Sequence, residues 1–354
     1  MVTIQHYVLQ KHGKQTFFCM SIFLILLQIF LLRLIFKKLN FPEFISFIIV
    51  GILNGRDLLN LIPSFLNDSY NIISLIALIV IFVRASSQIK IKLYTKKNFH
   101  IILLGILPGC LEIISTILLC RYFTPLNFHE SIMLGFIITA VSPAVVVPLM
   151  IELQKQKIGE KNKIPSSILA VASLDDMFAI IGFSVIVFFY FGFNSIIYNQ
   201  LINISLIIII FILVRLIKNK RIVKNIENLF SKIWFLISIM LFICVGSFLD
   251  FNIVKEAGLI GILIIFFGIV FRSIGVLICL FKTKYSKIEK LFFVVSLIPK
   301  ATVQAALGAI PLSLLLKMNS CTIPGYWILS IAMIGIIITA PLGAYLISIV
   351  SKKI

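Results

Sequence analysis

The sequence predicts an all-α polytopic membrane protein of about 11 transmembrane helices. Hydrophobic residues make up 60% of its 354 residues, and the mean hydropathy is +1.14. Soluble domains average only roughly 45–50% apolar residues. Apolar runs of about 20 residues recur along the whole chain, and each is long enough to cross roughly 30 Å of hydrocarbon. The sequence does not alternate polar and apolar residues as a membrane β-barrel does, so we expect a bundle of membrane-spanning helices.

The apolar runs divide the chain into eleven predicted spans that form one transmembrane domain over residues 1–354. Their approximate bounds are 17–36, 42–62, 71–89, 100–122, 130–152, 166–191, 196–217, 232–250, 257–281, 290–316 and 324–350. The first span could be mistaken for a signal peptide, because lysines precede it. It is longer than the apolar region of such a peptide and lacks a small-residue cleavage site, so we expect a retained helix.

The net charge of +19 is distributed in a way that predicts the orientation of the chain. Lysine and arginine are concentrated in every second loop and in the C-terminal tail, and they are sparse in the other loops. Because cytoplasmic loops carry the excess of basic residues, we expect an N-terminus outside the cell and a cytoplasmic C-terminus. This pattern predicts a multi-pass protein of the cell membrane, in contact with the lipid bilayer. Basic residues for nucleic acid would gather in one domain, so no nucleic-acid partner is expected.

The residues that mark resident metals, disulfides or nucleotide chemistry are not arranged in recognisable motifs. The six cysteines are scattered, mostly inside spans, without a CxxC motif or clustered histidines. A disulfide framework or metal centre is therefore not expected. The sequence also lacks a phosphate-binding P-loop. We predict no cofactor and no enzymatic activity.

Six charged residues lie inside the apolar spans. They are Arg84, Arg272, Lys300, Glu112, Asp175 and Asp176. A charge at bilayer depth costs roughly 2.5 kcal/mol or more, and it is tolerated when it is paired or faces a water-filled cavity. Three charges of each sign therefore predict an internal polar cluster. Arg84 has an alternative, because it lies near the cytoplasmic end of its span and its side chain can reach the membrane surface.

The adjacent carboxylates Asp175 and Asp176 are the strongest functional signal, because Ile168–Phe191 holds no other charge. Two ionisable groups together at this depth point to a functional site. Neighbouring residues on a helix project about 100° apart, so one carboxylate can face an ion cavity while the other turns to an adjacent helix. Carboxylate with hydroxyl or carbonyl oxygens is a hard ligand set, which suits Na⁺ or Li⁺.

Glu112 and Arg272 lie too deep in their spans to reach the membrane surface comfortably. We expect an ion pair between them, which would be a structural brace. A role in coupling is the alternative.

Two spans carry proline near their centres and are predicted to be interrupted. The run Thr139–Pro148 holds two prolines with a threonine and a serine, and Lys300 directly follows Pro299. Proline removes a backbone donor and disrupts the preceding turn, although in a membrane helix it can also produce only a kink. Non-helical backbone at this depth must be buried in protein or line a cavity, where its carbonyls can coordinate a cation.

The order of these features repeats along the chain. The Glu112 span precedes the first interrupted span and the aspartate span, and the Arg272 span precedes the second interrupted span and the last span. By the loop charges, 100–122 begins in the cytoplasm whereas 257–281 begins outside. Interrupted helices at matching positions of inverted halves point to the binding site of a secondary transporter.

Several of these segments resemble one transporter superfamily. The segments Val141–Pro148, Ser173–Ile180 and Leu297–Gly308 are similar to signatures of the monovalent cation:proton antiporters, most closely the NHA-type sodium/proton exchanger branch. Ile338–Ala344 and the Arg84-Ala85 pair also fit. The resemblance extends from about residue 17 to the C-terminus.

The resemblance implies an ion site at the crossing of the interrupted helices. Asp176 would be the alternating ligand for a proton or a transiently bound Na⁺ or Li⁺, with Asp175 beside it in the same cavity. Thr139 and Ser142 would line the crossover. Lys300 would neutralise the C-terminal ends of the half-helices there.

The resemblance also implies a role for Arg272 and an architecture. Some relatives have a lysine at this place that pairs with the first aspartate, whereas arginine is usual in this branch and pairs with the glutamate, here Glu112. Exchange would result from rocking of a core against a reduced scaffold that also forms a homodimer. The core comprises residues 71–191 and 256–350, and the scaffold comprises residues 17–62 and 196–250.

One departure keeps other functions open. Relatives have two further helices between the spans at 196–217 and 232–250, and we do not find them here. A regulatory or degenerate family member without transport activity is therefore the main alternative.

Two other functions are less consistent with the sequence. An intramembrane aspartyl protease needs carboxylates from two helices, whereas Asp175 and Asp176 are consecutive on one helix. A channel is less consistent with interrupted helices that carry titratable groups.

Overall fold

A computed structural model describes residues 2–39, 41–88, 99–192 and 220–354, together with Ile209. All regular structure in these ranges is α-helical. The helices are α1 (Val2–Lys38), α2 (Phe44–Asn54), α3 (Ser64–Asp68), α4 (Tyr70–Gln88), α5 (Phe99–Leu104), α6 (Leu107–Phe123), α7 (Phe128–Thr139), α8 (Pro143–Lys155), α9 (Ile164–Phe191), α10 (Lys220–Ser247), α11 (Phe251–Leu280), α12 (Lys287–Ser296), α13 (Thr302–Gly308), α14 (Ile310–Lys317) and α15 (Ile323–Ser351). The all-α prediction is confirmed.

Within the described residues, seven helical segments are long and apolar enough to cross a membrane. They are Met20–Lys38, Phe99–Phe123, Phe128–Lys155, Ile164–Phe191, Asn228–Ser247, Phe251–Leu280 and Ile323–Ser351. Three shorter apolar helices are Phe44–Asn54, Tyr70–Ile81 and Thr302–Lys317. The predicted span 196–217 lies outside the described residues except for Ile209, so the count of eleven remains a prediction. The side chain of Arg84, on α4, also lies outside the described residues.

The second predicted span, 42–62, is helical over a shorter stretch than expected. The helix α2 ends at Asn54, and Gly55 after it is extended, with a ψ of 178°. The Asn54 side chain donates a hydrogen bond to the Val50 carbonyl at 2.8 Å. The chain then folds back, so that the N–H groups of Leu61 and Ile62 bind the Asn54 carbonyl.

The first predicted interruption is present between α7 and α8. The helix α7 ends at Thr139, the next residues are extended, and α8 begins at Pro143. Pro143 occupies the first turn of α8, where a missing backbone N–H costs nothing. Pro148 lies inside α8 and does not break it.

The second interruption lies between α12 and α13, and it touches the first. The helix α12 ends at Ser296 and α13 begins at Thr302. The Ser142 N–H donates to the Pro299 carbonyl at 2.7 Å, so the two non-helical segments satisfy each other's backbone groups. The two crossing interrupted helices are therefore confirmed.

Other helices enclose this crossing. The helix α6 packs along α11, and their closest approach requires Gly275, because a Cβ there would lie 2.7 Å from the Pro108 Cα. The last helix, α15, packs on α11, α12 and α13. The helices α2 and α4 pack on α10. The crossing is thus buried within the bundle, whereas the predicted core and scaffold boundaries remain a prediction.

Candidate functional site

Both adjacent carboxylates are buried in the centre of α9. Asp175 is 0% exposed and Asp176 is 2% exposed. They have different surroundings, as the roughly 100° between neighbouring helical residues predicts. One is held by hydrogen bonds on both oxygens, and the other is not.

Asp175 is bound on both of its oxygens. Its Oδ1 accepts a hydrogen bond from Arg272 Nη2 at 2.8 Å. Its Oδ2 accepts from the Val141 N–H at 2.9 Å, within the non-helical segment between α7 and α8. Asp175 therefore joins α9 to α11 and to the first interruption.

Arg272 connects two carboxylates and the end of α7. Its Nη1 donates to Glu112 Oε2 at 2.7 Å, and the same nitrogen donates to the Thr139 carbonyl and to Thr139 Oγ1. The expected contact with Glu112 is present, and Arg272 also contacts Asp175. The fork of the guanidinium group suits this bridging, because its N–H groups point in fixed directions.

Lys300 completes a buried cluster of four charges. Its Nζ lies 2.7 Å from Glu112 Oε1, so Glu112 has one cation on each oxygen. Lys300 and Glu112 are 0% exposed and Arg272 is 1% exposed. Two cations and two carboxylates balance within this cluster, as burial of charge requires.

Asp176 differs from all of these residues. Neither of its oxygens has a hydrogen-bond partner among the described residues. A carboxylate without a partner at this depth is costly, and a proton or a cation would offset that cost. Its neighbour Asp175 contacts the Val141 backbone, so the carboxylate pair lies beside the interrupted helix.

The two predicted hydroxyl ligands have different environments. Thr139 Oγ1 donates to Glu112 Oε2 at 3.3 Å and accepts from Arg272 at 3.1 Å, so it belongs to the charged cluster. Ser142 Oγ is buried and has no hydrogen-bond partner in the described ranges. Of the two hydroxyls, Ser142 is the one that remains available as an ion ligand.

Gln304 is a polar residue of the crossing to which the sequence analysis assigned no role. Its Nε2 donates to the Ile137 carbonyl at 3.0 Å and to the Ala140 carbonyl at 2.6 Å. These carbonyls lie at the end of α7, where a helix leaves its last acceptors without internal partners. Its position in an apolar helix, four residues after Lys300, is the signal that could have identified it.

Helices outside the crossing also bind the second interrupted helix. Tyr70 on α4 donates to the Ala305 carbonyl at 2.7 Å, and Ser74 donates to the Ala306 carbonyl. Thr339 on α15 accepts from the Lys300 N–H at 2.9 Å. The polypeptide near the second break is therefore held by hydrogen bonds from two neighbouring helices.

Comparisons with known proteins agree with this architecture. The sequence model of the family described as "Sodium/hydrogen exchanger, transmembrane" matches residues 23–222 and 216–352. Sodium/hydrogen exchanger 9B2 from Xenopus tropicalis is 26% identical over 340 residues, which cover 78% of this chain and 62% of that protein. Sodium/hydrogen exchanger 9B2 from Homo sapiens is 26% identical over 342 residues, which cover 79% and 63% respectively. The chain thus spans less than two thirds of the length of these relatives.

A solved structure has a similar fold. The sodium proton antiporter MjNhaP1 from Methanocaldococcus jannaschii aligns with a TM-score of 0.75 and 18% sequence identity. The alignment covers 95% of this chain and 98% of that chain. At this identity the likeness concerns the fold alone.

Proposed function

We propose, from the premise that this chain belongs to the sodium/hydrogen exchanger family, that it exchanges Na⁺ or Li⁺ for protons across a membrane. The membership confirms the resemblance to the monovalent cation:proton antiporter superfamily. The names of the relatives, which are sodium/hydrogen exchangers and a sodium proton antiporter, support the proposed exchange.

The observation that carries the proposal is the contrast between the two adjacent aspartates. Asp175 is bound by Arg272 and by the Val141 N–H, whereas Asp176 is buried without a hydrogen-bond partner in the described residues. A carboxylate in that situation can hold either a proton or a small cation. Ser142 Oγ and backbone carbonyls of the interrupted segments would supply further oxygen ligands, and Asp175 would modulate the site.

Competition for one carboxylate is sufficient for exchange without ATP. A cation displaces the proton on one side of the membrane, and a proton displaces the cation on the other side after the site has changed its access. We propose that the core, residues 71–191 and 256–350, rocks against the scaffold, residues 17–62 and 196–250. The hydrogen bonds of Gln304 and Lys300 to neighbouring helices support movement of the crossing as one unit.

The charges of the cluster predict the stoichiometry. The cluster of Glu112, Asp175, Arg272 and Lys300 has no net charge. We therefore expect its protonation to stay the same when a cation binds at Asp176. Asp176 then exchanges one proton for one monovalent cation. We expect transport without net movement of charge.

Proton flux in liposomes tests the proposal. Purified protein is reconstituted with a pH-sensitive dye, and Na⁺, Li⁺ or K⁺ is added outside. We expect Na⁺ or Li⁺ to drive proton release in the wild type and in Asp68→Asn, which alters an exposed carboxylate. Asp176→Asn should abolish the flux. Absence of cation-driven flux from well-folded wild-type protein would sink the proposal, whereas flux that persists in Asp176→Asn would refute only the assignment of that residue.

The second candidate is a regulatory or degenerate member of the family that does not transport. The apparent absence of a helix pair between 196–217 and 232–250 favours it. Such a protein would still bind a cation at Asp176 but would not move protons. Cation-dependent thermal stabilisation without flux, in the same preparation, would identify this case.

The fold and the loop charges also support a proposal for membrane location, orientation and oligomeric state. The apolar helices make it a multi-pass membrane protein. We propose that it resides in the cell membrane as a homodimer, with its N-terminus outside and its C-terminus in the cytoplasm. Cross-linking in native membranes tests the dimer, and thiol labelling from outside tests the orientation.

A further inference from the structure

A groove of about 680 Å³ lies between α5 and the end of α11, away from the aspartates. Its walls are apolar. Phe99 and Leu103 line it from α5, and Ile274, Leu277 and Ile278 line it from α11. Three of these side chains are largely exposed for apolar groups, with 60% exposure for Phe99, 48% for Leu277 and 55% for Ile278.

The helix that faces α11 is interrupted at Gly105, between α5 and α6. Beyond that residue, α6 packs tightly along α11 where Gly275 meets Pro108. Before it, α5 contacts both α9 and α11, and at the break itself a Cβ on Gly105 would lie 2.5 Å from the Leu174 Cβ.

One end of the groove carries a positive charge, that of Lys282. Lys282 and His100 line it, and none of the lining residues is acidic. Lys284 and Lys287, both exposed, follow Lys282 in the chain. The next acidic residue in the chain, Glu289 in the first turn of α12, accepts hydrogen bonds from the Ser286 N–H at 2.7 Å and from the Asn162 side chain.

We propose that this groove binds an anionic phospholipid. One acyl chain lies along the apolar walls, and the phosphate lies at Lys282 and His100. Basic pockets between membrane helices at the cytoplasmic side bind anionic headgroups, and the predicted topology puts this end there. Lysine contributes a positive charge. His100 Nε2 lies 3.5 Å from the Tyr285 hydroxyl, so Nδ1 is the ring nitrogen left to donate a hydrogen bond to a phosphate oxygen. A zwitterionic lipid fills the walls equally well, but its own cation reduces the attraction to Lys282.

Lipid titration of the detergent-purified full chain tests this proposal without any measurement of transport. Palmitoyl-oleoyl phosphatidylglycerol and the matching phosphatidylcholine are titrated while binding is followed by native mass spectrometry. Lys282→Gln removes the charge and Leu277→Trp fills the groove. The matched controls are Lys352→Gln, an exposed lysine at the C-terminus, and Leu263→Trp, a 45% exposed leucine elsewhere on α11.

We expect phosphatidylglycerol to bind more tightly than phosphatidylcholine. Lys282→Gln should weaken its binding by about fivefold, the contribution of one lysine near a membrane surface. Leu277→Trp should weaken binding of both lipids, and neither control should change it. Because Lys282 is exposed beyond the end of α11, its substitution leaves the fold intact.

Three results would overturn the proposal. The first is equal binding of the two lipids by the wild type. The second is binding of phosphatidylglycerol by Lys282→Gln and Leu277→Trp that matches the two controls. The third is competition by glycerol phosphate at the same concentration as the lipid, which would indicate a site for a free anion.

Discussion

Arg272 should be the residue on which the stability of the charged cluster most depends. Its guanidinium group contacts Glu112, Asp175 and both oxygens of Thr139. Arg272→Met keeps much of the side-chain volume but removes all of these contacts. Glu112 would retain Lys300 on its Oε1, whereas Asp175 would retain only the Val141 N–H. The main consequence is therefore an uncompensated buried charge on Asp175.

The expected loss of stability follows from this uncompensated charge. Removal of one partner from a buried ion pair costs about 3–5 kcal/mol, because the other charge stays buried. In a domain of this size such a loss lowers the melting temperature by on the order of 10 °C. Addition of Asp175→Asn to Arg272→Met removes the orphaned charge and should recover about half of the loss. Arg272→Lys should be intermediate, because a single ammonium cannot reproduce the fork.

Thermal unfolding can be followed through the cysteines of the protein itself. Cys120 and Cys244 are 0% exposed and react with a thiol-specific dye only when the helices separate. Cys321 is exposed and Cys110 is partly exposed, so all variants are compared in a background in which Cys19, Cys110 and Cys321 are replaced by serine. If Arg272→Met with Asp175→Asn melts no higher than Arg272→Met alone, the loss of stability does not come from an unpaired charge on Asp175. A melting temperature of Arg272→Met within 2 °C of the parent, against the roughly 10 °C expected, would refute the larger reasoning about the cluster.

Three further predictions concern transport and topology. Gln304→Leu leaves the Ile137 and Ala140 carbonyls without their donor, so it should lower proton flux. The fall should be several-fold larger than in Gln304→His, whose side chain can still donate. Equal flux in the two variants would contradict this role of Gln304. In the proposed mechanism protons compete with cations at Asp176, so the apparent KM for Na⁺ or Li⁺ should rise as the pH falls while the maximal rate changes less. A KM independent of pH would exclude competition. In a Cys19→Ser background, a membrane-impermeant maleimide should label Cys321 in intact cells and should not label Cys321→Ser. Labelling only after lysis would reverse the proposed orientation.

The interruptions show how far local sequence could predict the fold. Proline lacks a backbone donor wherever it occurs, so breaks near Pro143 and Pro299 were predictable from the covalent structure alone. The sequence could not show that Pro148 remains inside a helix. At the break before Pro143, the Ser142 N–H donates to the Pro299 carbonyl at 2.7 Å, a partner about 160 residues later in the chain that local sequence does not reveal.

The candidate site shows the same division between local and distant information. Its charged residues were identifiable, because each one is costly in an apolar span whatever its neighbours are. The expected contact between Glu112 and Arg272 was also correct in its partners. The second contact of Arg272 with Asp175 and the role of Gln304 were not deduced, since both depend on how helices far apart in the chain are placed.

From the sequence alone it was possible to predict which segments are apolar enough to enter the membrane, where two of them are interrupted and which charges lie within apolar spans. Each of these depends on the free energy of a residue, or a short run of residues, in hydrocarbon. The difference between Asp175 and Asp176 became visible only in the folded bundle. Asp175 is paired with an arginine 97 residues away, and Asp176, adjacent to it, has no partner in the described residues. Pairing requires distances of about 3 Å between groups on different helices, and packing of the whole bundle sets those distances.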